Sequence, residues 1–338
     1  MPDQELTVHQ EQSLATRDEY YSAPGLSYSG MKDLAVSPLR YWYLHVNPDR
    51  PVQEETPAMA FGSALHCAML EPLKFSERYT CEPDWSKVEG LLVTVADLRA
   101  WLTANGYKPK GTLKADLIDQ VQSANPGVLI KDVLEAKLAE SRDGMTELSI
   151  EDWQRLEGCR DALLQNRWIA DVLSNGHAEV PLFAEDPETG VPLKAKLDWV
   201  TPVLTLDLKT FAQKRAKSID ETVADAIWYE GYHIQAWWYT MMRALAGGDI
   251  GLSGPQAAKP SFALAFVESD PPHEVRIRVL RPTTSGQANL YWERARIHCR
   301  EMIRLYAECW DRFGMDPWIF DQGAVQLMDE DIKQLAFA

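Results

Sequence analysis

Asp198, Asp207 and Lys209 lie in two short stretches with the alternation of strands, KAKLDWV at 194–200 and VLTLDLKT at 203–210. Side chains alternate across a strand, so Lys194, Lys196 and Asp198 share one face, and Thr205, Asp207 and Lys209 share one face of the next. Leu204, Leu206 and Leu208 make an apolar opposite face. A reversal at Thr201-Pro202-Val203 sets Asp198 opposite Asp207, because positions equidistant from a turn pair across it. Two facing carboxylates repel, and a divalent cation between them relieves the repulsion. Hard oxygen ligands suit magnesium, with manganese able to substitute. Such a group, with an amine beside it, supports metal-assisted hydrolysis. A surface hairpin with solvated charges can carry the same D-x-K tripeptide, so at this point both readings stand.

The pattern D…(D/E)-x-K on neighbouring strands resembles the PD-(D/E)xK nuclease signature, with Asp198 as its first acid and Asp207-Leu208-Lys209 as its second element. Three further stretches occur in the order found in the branch that holds the RecB nuclease domain, lambda exonuclease and exonuclease VIII (RecE). FGSALHCAMLEP at 61–72 resembles the helix that delivers a metal-binding histidine, here His66. Gln235-Ala-Trp-Trp-Tyr239 resembles the Q-x-x-x-Y helix motif. The segment 26–51, followed by AMAFGSALH, is similar to the N-terminal part of the exonuclease VIII catalytic domain. The likeness runs with gaps from Leu26 to Arg312.

This resemblance implies a fold and a site. The fold is α/β, a restriction-endonuclease-like core with a mixed central sheet flanked by helices, plus a small helical insertion. The metal ligands are His66, Asp198, Asp207 and the Leu208 main-chain carbonyl. Glu179, in HAEVPLFA at 177–184, resembles an acid on the preceding strand and either binds a second metal or is an ordinary edge charge. His66 also reads as a packing residue on an apolar helix. Gln235 and Tyr239, four apart and on one helical face, either contact DNA and order the site or simply pack. Lys209 orients the attacking water, helps to deprotonate it, or stabilises the developing charge.

The implied activity is that of an exodeoxyribonuclease, degrading linear duplex DNA from the 5′ end to leave 3′ single strands. The implied partners are duplex DNA, a single-strand annealing recombinase and further copies of the chain in a ring. The alternatives are a relative with other polarity, a single-strand or endonucleolytic specificity, and a catalytically idle DNA-binding scaffold.

Composition sets the outer limits. The 338 residues can bury a full core. No apolar run approaches the roughly 18 residues of a membrane span. The polar start MPDQELTVHQEQ does not resemble a signal peptide, which points to the cytoplasm. Cysteines at 67, 81, 159, 299 and 309 lack C-x-x-C spacing, so no iron–sulfur cluster, zinc site or disulfide framework is expected. A net charge of −16 opposes DNA binding in general. Locally, however, Lys194, Lys196, Lys209, Lys214, Arg215 and Lys217 face only Asp198 and Asp207 between 194 and 217. All of these basic residues but Lys209, the catalytic candidate, are candidate phosphate contacts.

The elements that must position these residues follow from pattern. Residues 1–20 read as a flexible segment. Helices are expected at 29–36, 59–70 and 149–173, the last capped by Ser149, then at 219–246, ending at Gly247-Gly248, and at 283–313. Strands are expected at 261–269 and 273–281 around Asp270-Pro271-Pro272. Trp228, Trp237, Trp238 and Trp292 fall in amphipathic helices and read as packing residues. Residues 92–124 interrupt a nuclease domain made of 21–91 and 125–338. They resemble a SAP-like helix-extension-helix module through Lys110-Gly111-Thr112-Leu113-Lys114-Ala115-Asp116-Leu117, with Lys110 and Lys114 as its candidate DNA contacts. A helical insertion with ordinary surface lysines is the other reading.

Overall fold

The computed structural model describes residues 17–51, 56–214, 216–246, 260–284 and 287–320. Two compact units form. The first comprises Met1–Glu55, Trp168–Phe266 and Arg276–Ala338, and the second Thr56–Arg167 with Val267–Val275. Compactness therefore draws a wider boundary than the 92–124 insertion expected from sequence.

A five-stranded sheet organises the first unit. Its strands are β1 (His177–Glu185), β2 (Pro192–Thr201), β3 (Leu204–Phe211), β4 (Ser261–Glu268) and β5 (Val275–Leu280), lying side by side in chain order. β1 to β2 and β2 to β3 are antiparallel. Between β3 and β4 the chain crosses over through two helices, α3 (Ile219–Tyr229) and α4 (Tyr232–Ala246), giving a mixed α/β architecture. Along β2 the alternation is kept: Leu193, Ala195 and Leu197 are buried, while Lys194, Lys196 and Asp198 are half-buried. β3 departs from the expected two-faced strand. Thr205 and Asp207 are buried as fully as Leu206 and Leu208, because β3 is the central strand, with two neighbours on each side.

Further helices of this unit include α1 (Arg17–Ser22), α2 (Tyr28–Val36) and α5 (Leu290–Phe313). Ser27 caps α2 by accepting from the Gly30 amide, and Asn289 caps α5 by accepting from Tyr291. The core joins Trp237, Trp238, Trp292 and Cys299 of the helices to Leu193, Leu197, Phe262 and Phe266 of the sheet. Each such side chain contributes about 1.5–3 kcal/mol by burial. Trp228 is the expected packing tryptophan that stays partly exposed, stacked on His233.

Three expected helices are corrected. The single helix 219–246 is two, broken at Glu230-Gly231, where Gly231 has φ +75° and the Tyr28 hydroxyl donates to both carbonyls. The helix 283–313 starts at 290, after two short strands at 283–284 and 287–288. The helix 149–173 starts at its expected Ser149 cap, which accepts from the Asp152 amide, but breaks at Asn166 into Ile150–Gln165 and Arg167–Leu173. Of the N-terminal segment, residues 17–20 belong to α1, and residues 1–16 lie outside the described residues, as do Gly247 and Gly248.

The second unit is mainly helical, with a two-stranded parallel ladder of Tyr79–Cys81 and Thr146–Leu148. The helix-extension-helix element is present as Val95–Ala104 and Lys114–Ala124. A reciprocal capping box of Thr94 and Asp97 starts the first helix. Leu98, Leu102, Leu117, Val121 and Ile130 form its own small core. Main-chain bonds from Leu92 to Leu129 and from Lys131 back to Leu92 close the element, so it extends past the expected end at 124. Among the described residues, no helix is long and apolar enough to cross a membrane.

Candidate active site

The β2–β3 hairpin turns on Pro202-Val203, with Thr201 Oγ1 accepting from the Val203 and Leu204 amides. Pairs run Thr201↔Leu204, Val200↔Thr205 and Trp199↔Leu206, so the next step along the register is Asp198 against Asp207. The regular pairing stops there. Asp198 turns its Oδ2 toward the partner strand and accepts from the Leu208 amide at 3.1 Å. A carboxylate thus takes the place of a ladder carbonyl. On the other side of β2, the pairs Ala178↔Trp199 and Val180↔Leu197 bracket Glu179 against Asp198. Glu179 has φ +53°, a left-handed conformation that a glutamate seldom adopts and that interrupts the β1–β2 pairing without shifting its register. Glu179, Asp198 and Asp207 therefore form one row across three adjacent strands.

Lysines and an amide serve this row. Lys196 pairs with Glu179, and Lys209 Nζ lies 2.6 Å from Asp207 Oδ2. Gln235 Nε2, from α4, donates to Asp207 Oδ1 at 2.8 Å. Asp207 is 1% exposed, and its Oδ2, though close to the ammonium, has no hydrogen-bond partner of proper geometry. Burial pushes the Lys209 pKa down, but Asp207 and Asp198 outweigh it, so the net shift is upward and the amine is a cation. Tyr239, one turn beyond Gln235, is raised well above the ordinary tyrosine value by burial, reinforced by Asp207 and Asp198. It is a neutral hydroxyl beside two carboxylates.

Glu179 and Asp198 offer carboxylate oxygens within 4.8 Å of each other, close enough to share a hard divalent cation. Asp207 follows them in the row, its Oδ2 held by the Lys209 ammonium.

The remaining expected residues fall as follows. His66 lies in the second unit, half-buried on the helix Pro57–Leu70, with Leu65 and Ala68 buried beside it in sequence. Lys194, expected on phosphate, instead donates to the Tyr20 and Ala23 carbonyls at 3.1 and 2.7 Å, fastening α1 to the sheet. Burial, then Arg50, lowers its pKa. Lys196 is paired to Glu179, and Lys217 to Asp225. Lys214 is exposed, and Arg215 lies outside the described residues. Lys114 is paired to Asp132 at 2.5 Å, and the main chain of Lys110 is bound on both sides by the Gln120 amide. Lys114, Lys194, Lys196 and Lys217 thus turn to nearby carboxylates and carbonyls, while Lys214 stays exposed.

Arg243 was missed by sequence reading. It donates to Thr205 Oγ1 at 3.0 Å and to the Thr201 carbonyl at 2.8 Å, bracing the hairpin turn. It is 4% exposed, and burial alone brings its pKa down to about 10. The signal was available: Gln235, Tyr239 and Arg243 are spaced four apart and so fall on one face of α4.

An acid row on adjacent strands, a D-x-K lysine and a helix glutamine over a mixed sheet define a PDDEXK-like domain. Residues 27–310 match the family described as "PDDEXK-like domain of unknown function (DUF3799)", and the chain belongs to that family. Membership supports a nuclease, a class whose members generally depend on a divalent metal. No curated protein matches the sequence. Among solved structures, one from Eubacterium rectale named "Putative exonuclease" is 19% identical, covering 87% of this chain and 85% of its own at a TM-score of 0.49. Another, SSO0001, is 13% identical, covering 72% and 85% at a TM-score of 0.24. At these values neither structure adds to the family match.

Proposed function

We propose that the chain is a magnesium-dependent DNA exonuclease acting on linear duplex DNA in the 5′ to 3′ direction. Its 3′ single-stranded product would pass to a single-strand annealing protein, and the working form would be a ring of several copies. The observation that carries the hydrolytic part is the row of Glu179, Asp198 and Asp207, with a cationic lysine against Asp207 and the Glu179 and Asp198 carboxylates within 4.8 Å of each other. Direction, recombination partner and ring rest on the sequence resemblance. So do the ligand roles of His66 and the Leu208 carbonyl, and DNA contact by Lys110 and Lys114, whereas DNA contact by Lys214, Arg215 and Lys217 rests on the local excess of basic residues.

A divalent cation bound by the carboxylates supplies Lewis-acid polarisation of a phosphate oxygen and a more acidic water. The chain's own residues do the rest. Asp198, held by the Leu208 amide, and Asp207, held by Gln235, present their charges without reorganisation. Lys209, as a cation at Asp207, places positive charge where negative charge grows on the phosphate. Tyr239 contributes a neutral hydroxyl, a donor toward the carboxylates or the phosphate.

End-labelled linear and closed circular duplexes, incubated with magnesium, test the proposal. Linear substrate is expected to shorten from its 5′ ends while circles survive. Cutting of circles would overturn the exonuclease reading, and full activity in Asp207→Ala would overturn the site.

A further inference from the structure

We infer that Tyr21 and Phe183, backed by Tyr20, form a stacking platform for a nucleobase beside the carboxylate row. The inference rests on the nuclease reading for the identity of the ligand. Its geometry lies wholly within the first unit. Tyr20 and Tyr21 are in α1, and Phe183 is on β1, the strand that carries Glu179. Tyr20 stands edge-on to Tyr21, with centroids 5.4 Å apart and planes at 78°, and lies 5.9 Å from Phe183.

Packing accounts for Tyr20, which is 8% exposed and receives the Lys194 ammonium 5.2 Å above its ring. Tyr21 is 58% exposed and Phe183 38%, so two aromatic rings face solvent around a buried third.

The position of the platform identifies its occupant. The Lys196 ammonium that pairs with Glu179 also lies 5.8 Å from the Tyr21 ring centroid, linking the platform to the row through one side chain. The Tyr20 hydroxyl is near enough to act electrostatically on Tyr239, which in turn feels Asp207 and Asp198. An exposed aromatic face next to a phosphate-cleaving row meets the base attached to that phosphate. Stacking on it is indifferent to sequence, because every base has a π-face. Cations over the rings add favourable charge for the backbone.

Binding of a single-stranded oligonucleotide carrying 2-aminopurine, with EDTA present to prevent cleavage, tests the platform. The full-length chain is expected to quench the fluorophore and to prefer it to an abasic position. Tyr21→Ala with Phe183→Ala should remove both effects and weaken binding roughly 5-fold to 150-fold, the equivalent of about 1–3 kcal/mol per stacked base. Tyr21→Trp should restore them, which a purely structural role would not do. Tyr21 is the more exposed ring, so Tyr21→Ala alone should keep the parent's melting temperature while still reducing the quenching. Unchanged quenching and unchanged base preference in the double variant, with cleavage of DNA by the parent intact, would overturn the platform alone. A parent chain that neither binds nor cleaves DNA would overturn both readings.

Discussion

Asp207 concentrates the chemistry at the scale of one residue. Its carboxylate is buried, one oxygen is held by Gln235, and the other lies 2.6 Å from the Lys209 ammonium. A cation completing that oxygen's coordination should stabilise the fold by mass action, by about 2.7 kcal/mol at a hundredfold excess over Kd. Magnesium or manganese is therefore expected to raise the melting temperature by several degrees, and Asp207→Asn to abolish the shift. Lys209→Ala should keep the shift yet lower the cleavage rate by about 10²-fold or more, as removal of a preorganised charge-stabilising group does. Differential scanning fluorimetry beside a nuclease assay separates the two roles. Glu179 carries a different burden, its left-handed backbone, which costs a non-glycine residue on the order of 1 kcal/mol or more. Glu179→Gly should hold or gain thermal stability while cleavage falls, and a stability loss above that of Glu179→Gln would count against backbone strain.

At the scale of elements, α4 is the brace of the hairpin. Gln235, Tyr239 and Arg243 project from one face, the first to the row and the last to the turn. Arg243→Ala leaves the Thr201 carbonyl and Thr205 hydroxyl without their donor, at about 1–3 kcal/mol for each buried group. The expected result is a melting temperature lower by several degrees and reduced cleavage. Arg243→Lys should fail to restore either, because one ammonium cannot reproduce the fork. Much of this element was legible in the sequence. The spacing about Thr201-Pro202-Val203 predicts the register that sets Asp198 against Asp207, and Ser149 marks its helix start. What was hidden depended on partners far along the chain. Gly231 interrupts a continuous amphipathic pattern, and only the contact with Tyr28, some 200 residues earlier, shows why the break is there. Burial of both faces of β3 likewise follows from neighbours that strand alternation does not reveal. The lysine run read as a basic edge because charge counts do not show where ammonium groups turn.

For the whole molecule, buried phenols set an alkaline limit. Burial raises the pKa of Tyr20, Tyr28 and Tyr41 above the ordinary 10.0. In the unfolded chain these groups lose protons first, so above pH 10 the unfolded state binds fewer protons and stability falls as pH rises. Melting temperatures should be flat on this account up to about pH 9.5 and then decline. Tyrosinate absorbance that rises with unfolding rather than before it would show that these phenols ionise only when released.

The engagement of the lysines has a wider consequence for a chain of net charge −16. Among the described residues, Lys114, Lys196, Lys209 and Lys217 already have carboxylate partners, and Lys194 is held by carbonyls. Few counterions would be released when DNA docks, and each phosphate neutralised contributes only about −0.9 to the slope of log affinity against log salt. A slope shallower than the roughly −4.5 that free contact by all five basic residues proposed above would give is expected from titrations at several salt concentrations, and a steeper slope would show cations elsewhere in the chain. Long-range attraction would then guide little of the search for a DNA end, while a strand already engaged would stay bound as ionic strength rises.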